Sequence, residues 1–517
     1  MNPLATAAFA AAFLSAAATA QTGTPVTAPG NPILADGRYY STDPAPIVDG
    51  DTLWILAGRD EAPADVNDFI MKEWQLLSAR DPASGRWTHY PAIARPEAVF
   101  AWAEPGRAYA GQIVKGRDGR FYLYAPVLQR DSKAEDRFAI GVAVADRVTG
   151  PWRDAHPGGP IVSQTVPVAN TIQNIDPTVL VDDDGRAYLY WGTFGQLRGI
   201  ELAADMVTPK GSEIVVDTLT GFFEAPWLMK RRGTYYMLYA GNNVGPDSRC
   251  TPALYHACIA YGTASSPLGP WTYRGTVLKP VSSTTSHPGA VAFKGQWYLA
   301  YHTADAVGGG HFRRSVALDR MEWDDSVSPP AIRPVMPTRR PAPPAGPTRN
   351  VAAAAEAHAS NAPIPVQYWI RALNDGIVKA APLPPDLWGS WTPDNPPRQW
   401  IEYRWARPVT LDGSRIRFWA DHPAGADEGV APPASWRLDY WDGGWKPVPG
   451  ATAYNIAADV WQSVRFRPIT TRCLRATFVA SGRSGRHAGL AVQEWEALVP
   501  RPRPAPPPPV TPIADCG

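Results

Sequence analysis

The chain is expected to be all-β: a five-bladed β-propeller followed by a β-sandwich. Three observations carry that expectation. One pattern, a polar residue and Gly followed by two variable residues and an aromatic and aliphatic run, occurs five times between residues 49 and 302. No window of this region sustains a three-to-four apolar periodicity, and Gly or Pro interrupts nearly every dozen residues, which disfavours helices. Beyond residue 328 the composition turns Pro-rich, and short strand patterns with Trp resume after it.

At the N-terminus, "MNPLATAAFAAAFLSAAATA" holds a short apolar run ending in small residues suited to a signal-peptidase site after Ala20. The run is too short for a good membrane span. Residues 1–20 therefore read as a signal peptide, and the mature chain is expected to be secreted or periplasmic, with no membrane partner. The 49 basic and 48 acidic residues among 517 nearly balance. That argues against nucleic acid as an electrostatic partner. Of the four cysteines, Cys250 and Cys258 are spaced to close a small disulfide loop, and no CxxC spacing points to a metal.

The five repeats are "DGDTLWILAG" from residue 49, "DGRFYLYAPV" from 118, "DGRAYLYWGTF" from 184, "RGTYYMLYAGN" from 232 and "KGQWYLAYHTAD" from 294. A tight-turn Gly before alternating large residues predicts a hairpin entering a buried strand. Their spacing, roughly 50 to 70 residues, suffices for one four-stranded sheet each. Two "GPW" triplets, at 150–152 and 269–271, read as equivalent turns in two blades. The propeller is assigned to residues 21–328, a Pro-rich linker to 329–349, the β-sandwich to 350–499 and a Pro-rich tail to 500–517. The 21 Trp and 20 Tyr suit sugar rings, although such residues also fill β-rich cores.

In a propeller the innermost strand of each blade lines the central channel, so residues at one offset before each repeat Gly converge on the axis. Seven to ten residues before the Gly stand Asp43, the stretch Tyr109 to Gln112, Asp176, Glu224 and His287. A single Asp before Pro is ordinarily a turn residue. Three carboxylates at one offset of three repeats are costly to gather in an aromatic funnel without a chemical use. Two such acids can hydrolyse a glycosidic bond, one protonating the leaving oxygen and the other activating water or attacking carbon. Glu224, among Phe222, Phe223 and Trp227 in "FFEAPW", suits the general acid; Asp43, next to a solvated turn, suits the base; Asp176 is left to orient Glu224 and raise its proton affinity.

These motifs resemble glycoside hydrolase family 43 over about residues 31 to 330. The resemblance implies a five-bladed propeller that hydrolyses arabinosides and xylosides with inversion. "DPAP" is similar to the base segment and implies that role for Asp43; "IDPTVLVDDDGRAYLYWG" implies the pKa-tuning acid at Asp176; "FFEAPWLMKRRGTYYMLYA" implies the general acid at Glu224. "SHPGAVAFKGQWYLAYH" is similar to the segment whose His, here His287, supports a structural calcium ion on the axis in many members, directly or through water. "GGGHFRRSVALDRMEW" implies a substrate-contacting Arg at Arg314. Tyr109 stands where relatives carry Trp, and with Gln112 and Trp227 it completes the expected sugar-binding set.

Residues 350–499, with "LNDG", "WIEYRW" and "LAVQEWEAL", resemble a discoidin-type, galactose-binding-like sandwich, which implies attachment to a carbohydrate polymer. The expectation is a monomeric exo-glycosidase, needing no cofactor, that removes terminal α-L-arabinofuranosyl or β-D-xylosyl units from plant polysaccharide or oligosaccharide. A non-catalytic sugar-binding propeller is the alternative from another class. A retaining sucrose-type propeller would centre on "ARDP" at 79–82, but that triplet lies off the repeat offset.

Overall fold

The computed structural model describes residues 22–242, 257–338 and 349–500, apart from 362–363, 366–367, 380–381, 383 and 484. Residues 1–20, read as a signal peptide, Cys250 and the tail from residue 501 lie outside these. Cys258 and Cys473 are both disulfide-bonded.

Five antiparallel sheets follow one another along residues 24–321. Their inner strands are Thr42–Asp49, Gln112–Lys115, Thr178–Val181, Phe222–Arg231 and Gly289–Phe293. Each inner strand packs on the next, and the fifth packs back on the first, which closes the ring. The repeat glycines Gly50, Gly119, Gly185, Gly233 and Gly295 sit in the turns leaving these strands with φ of 60 to 80°. Only Gly adopts that left-handed conformation without steric cost, which is why the repeat is visible in sequence.

The last sheet has three strands, Gly289–Phe293, Gln296–Thr303 and Ser315–Met321. Its outer edge is covered by the N-terminal segment of the propeller. Ile33 N donates to Val316 O at 2.9 Å, Ser41 N to Arg314 O at 2.9 Å, and the Asn31 side chain bonds both backbone groups of Leu318. Chain start and last blade are thereby latched together, as an exposed edge strand requires.

The boundary after the propeller lies further along than composition suggested. Ile332 and Val335 are buried in the propeller's largest apolar cluster, and Val335 N donates to Val277 O at 2.7 Å. Within the segment expected as linker, Ile332 and Val335 are therefore anchored on the propeller, while Met336 is exposed. In the second module the bent strand Arg398–Trp419 pairs along its length with Trp461–Val479. Its first part also pairs with Glu356–Ala359 and its last part with Ala491–Leu498. A separate core contains Trp388, Tyr403, Trp405, Trp436, Phe478 and Trp495. Among the described residues no helix is long and apolar enough to cross a membrane.

Candidate active site

At the mouths of four inner strands the backbone repeats one irregularity. Asp43, Asp176, Ala225 and His287 have φ of 52, 56, 57 and 42°, and each precedes a proline. Strand pairing shifts register between Thr42 and Ala45 and again on both sides of Glu224. A non-glycine residue in the left-handed region costs about 1–3 kcal/mol, and a bulge turns side chains out of the regular alternation. Here the distortion brings Asp43, Asp176, Glu224 and His287 together on the axis, where they interact electrostatically.

Asp43 is buried, not solvated as the sequence reading supposed. Its Oδ1 accepts from Arg314 Nη1 at 3.1 Å and from the Thr42 hydroxyl at 3.0 Å, and lies 3.5 Å from His287 Nδ1. Burial alone would raise its pKa, but the Arg314 guanidinium, assisted by His287 and His302, outweighs it and holds the carboxyl well below its ordinary value. Asp43 is therefore an anion whose charge is fixed by a buried cation rather than by water. His302 braces it: its Nδ1 lies 3.3 Å from the Asp43 backbone N, and its Nε2 bonds the Thr285 carbonyl. Burial pushes the His287 pKa down to about 4, leaving that ring neutral.

Among the described residues no such cation is bonded to Glu224. Its Oε2 accepts from the Thr193 hydroxyl at 2.7 Å, and the Thr285 hydroxyl also bonds it. Burial raises its pKa, the two hydroxyls pull it back, and the Asp43 charge raises it again; the net shift is upward. Asp176 Oδ2 accepts from Ala225 N at 3.2 Å, the amide next to Glu224. Burial and then the neighbouring Glu224 and Asp43 hold Asp176 well above its ordinary value. One carboxylate kept ionised beside a pair that retains a proton is an acid–base constellation.

Other expected residues sit differently. Arg314 is held internally, with Nε and Nη2 each 2.9 Å from Asp60 and Nη1 on Asp43, so it clamps the base. Trp227 is packed in the core with its indole N–H on Ala290 O at 3.0 Å, tying the fourth blade to the fifth. Gln112 is buried as a strut whose Oε1 accepts Val179 N. Tyr109 is partly buried, its ring tilted against Phe138 at 4.9 Å and its hydroxyl 3.4 Å from Arg107 Nη1. Asp81, of the rival "ARDP" triplet, is an exposed cap that accepts from Ala83 N in an outer turn of the first blade.

Sequence reasoning missed His302, Asp60, Thr193 and Thr285. His302 was within reach, since "YHTAD" ends the fifth repeat, and so were Thr193, inside the third repeat, and Thr285, ten residues before Gly295; Asp60 lies just past the first repeat. Around His287 the nearest charged or ring groups are Asp43, His302 and Arg314, and among the described residues no three His, Cys, Asp or Glu form a metal-holding group. Calcium takes six to eight oxygen ligands, about 2.3–2.6 Å away. The donors at His287 do not fit a directly liganded calcium ion, because the Asp43 carboxylate is already paired with a fixed cation.

Comparison with known proteins agrees with the propeller fold. Residues 29–328 match the family model of the glycosyl hydrolases family 43. A xylosidase/arabinosidase of Bacteroides ovatus is 29% identical over 329 residues, covering 55% of this chain and 92% of that protein. An arabinoxylan arabinofuranohydrolase of Bacillus subtilis (strain 168) is 29% identical over 340 residues, covering 56% and 61%. The solved structure of a GH43 beta-xylosidase/alpha-arabinofuranosidase from a compost microbial metagenome aligns with TM-score 0.50 and 24% identity over 60% of this chain and 98% of that one.

Proposed function

The chain belongs to family 43 of the glycosyl hydrolases, and from that premise we propose that it removes terminal α-L-arabinofuranosyl or β-D-xylosyl units from plant hemicellulose or its oligosaccharides, with inversion. The observation that carries the reading is the opposite setting of two buried carboxyls, Asp43 ionised on Arg314 and Glu224 held toward its neutral form. Asp43 takes a proton from water as the oxygen attacks the anomeric carbon. The glycosidic C–O bond breaks, and Glu224 delivers its proton to the departing oxygen. Burial and the Asp43 charge hold Glu224 toward its protonated form, and Asp176, through the Ala225 amide, fixes its strand. Inversion calls for a carboxyl separation of about 6.5–9.5 Å, leaving room for the water.

The reading includes export through residues 1–20, action as a monomer, and a calcium ion on the axis only as a water-bridged structural ion at His287. For the sandwich, carbohydrate contact is supported by a cleft of about 760 Å³ lined by Trp391, Trp419, Asp421, His422 and Asp427 among others.

Hydrolysis of a panel of arabinofuranosides and xylosides, followed by NMR of the first anomer released, tests the whole. The parent should release the inverted sugar, and Asp43→Asn and Glu224→Gln should each lose at least about a hundredfold in kcat, the scale of general acid–base catalysis. Variants as active as the parent would remove both assignments; first release of the retained anomer would replace the single-step mechanism.

A further inference from the structure

Phe194 is a large apolar residue, 52% exposed, with φ of 51°. Exposure and a left-handed backbone both disfavour Phe, so something else holds it there. The turn carrying it, between the strands Ala187–Trp191 and Leu197–Leu202, is pinned at several points. Gly192 N donates to Ile175 O at 2.8 Å, next to Asp176. The Thr193 hydroxyl donates to Glu224, and Gly195 N donates to Phe223 O at 3.0 Å, next to Glu224. Gln196 N closes the turn on Thr193 O at 3.0 Å. The Phe194 ring meets Phe223 at right angles, centroids 5.5 Å apart and planes at 85°, so Phe223 props its edge while much of the ring remains open to solvent.

Position gives this ring a side of the site. The other aromatic wall, Phe69 with His311 and Phe312, stacks on Arg314 with 4.8 Å from guanidinium to ring centroid and so belongs with Asp43, the water-activating acid. Phe194 belongs with Glu224. A general acid in glycoside hydrolysis faces the departing oxygen, so what stands beside it on the outside faces the departing sugar. We infer that Phe194 is the stacking platform for the leaving-group sugar and thus sets the preference for oligosaccharides over small leaving groups. The inference rests on the assignment of Glu224 as the general acid. It adds a specificity residue outside the inner strands.

The test compares kcat/KM for a pentose disaccharide and for the matching glycosyl fluoride, whose leaving group has no ring to stack. Aryl glycosides are avoided because the aryl ring would itself stack on Phe. Phe194→Gly removes the ring and relieves the left-handed backbone, so it should fold at least as well as the parent, checked by thermal unfolding. The disaccharide-to-fluoride ratio is expected to fall about tenfold, the scale of one lost aromatic contact, and Phe194→Trp is expected to restore it. A ratio unmoved by Phe194→Gly, in a parent that cleaves both substrates, overturns this inference alone. A parent that cleaves neither substrate overturns the hydrolase reading and this inference with it.

Discussion

Thr193 is buried at 2% exposure, and its hydroxyl donates to the Glu224 carboxyl at 2.7 Å. That bond favours the ionised form and works against the burial that keeps Glu224 protonated. Thr193→Val keeps the size and removes the donor, so the Glu224 pKa should climb further. Because the protonated acid is the working form, activity is lost as pH rises through that pKa, and the alkaline limb of kcat/KM should move to higher pH. A pH profile on a disaccharide measures this; a limb that stays put or moves down removes Glu224 from the acid role. The base has the opposite sign. Arg314 and the two histidines hold Asp43 below its ordinary pKa, so it stabilises the fold above the unfolded carboxyl's pKa, and that contribution is lost as pH falls. The sequence made Asp43 the base for the wrong physical reason: its charge is set by Arg314, a residue 271 positions away, and not by a solvated turn.

The inner strands explain which parts of the site were legible in sequence. Four of the five carry a bulge or left-handed residue at their mouths, and all five end in a tight turn with Gly, so one spacing indexes both the turn and the site. Asp43, Asp176, Glu224 and His287 were found because they ride on that spacing. Asp60 and Thr193 were not, since they come from a second strand and a connecting loop after the repeat Gly, and Thr285, although on the spacing, is one neutral hydroxyl among several in "SSTTS". Arg314 was found, but nothing local shows that two of its nitrogens are bonded to Asp60. The strands also meet closely. A Cβ on Gly289 would lie 2.4 Å from Pro46 Cδ and 2.6 Å from Pro44 O, so the fifth inner strand can approach the Asp43–Pro44 corner only without a side chain. Gly289→Ala should force the two strands apart beside the base, costing about 1–3 kcal/mol, as overpacking does. It should also lower kcat more than KM, since the base moves relative to bound sugar. Thermal unfolding and steady-state kinetics decide it; parent-like values in both would mean that the corner yields without consequence.

Five repeats predicted five blades, but repetition cannot say how a ring closes, because closure is the one contact that does not repeat. The last blade supplies only three strands, and its outer edge is covered by residues that precede the first repeat. Asn31 is the centre of that latch. Its Nδ2 donates to Leu318 O at 3.2 Å, Asp319 Oδ2 at 3.2 Å and Thr338 Oγ1 at 3.0 Å, and its Oδ1 accepts Leu318 N at 2.9 Å. Thr338 N in turn donates to Asp319 at 3.0 Å, so the chain's exit from the propeller is fastened at the same point as its entry. The segment from Asn31 leads directly to Ser41, hydrogen-bonded to Arg314 O, and then to Asp43, which makes the latch continuous with the base. Asn31→Leu fills the same space and satisfies none of these partners. Leaving a backbone N–H and a carboxylate short of bonds should cost about 2 kcal/mol or more. The urea midpoint should therefore fall with little change in m, since the same surface is exposed on unfolding. An unchanged midpoint would mean that packing of the inner strands closes the ring without the latch, and that the N-terminal segment lies on the last blade as a passenger.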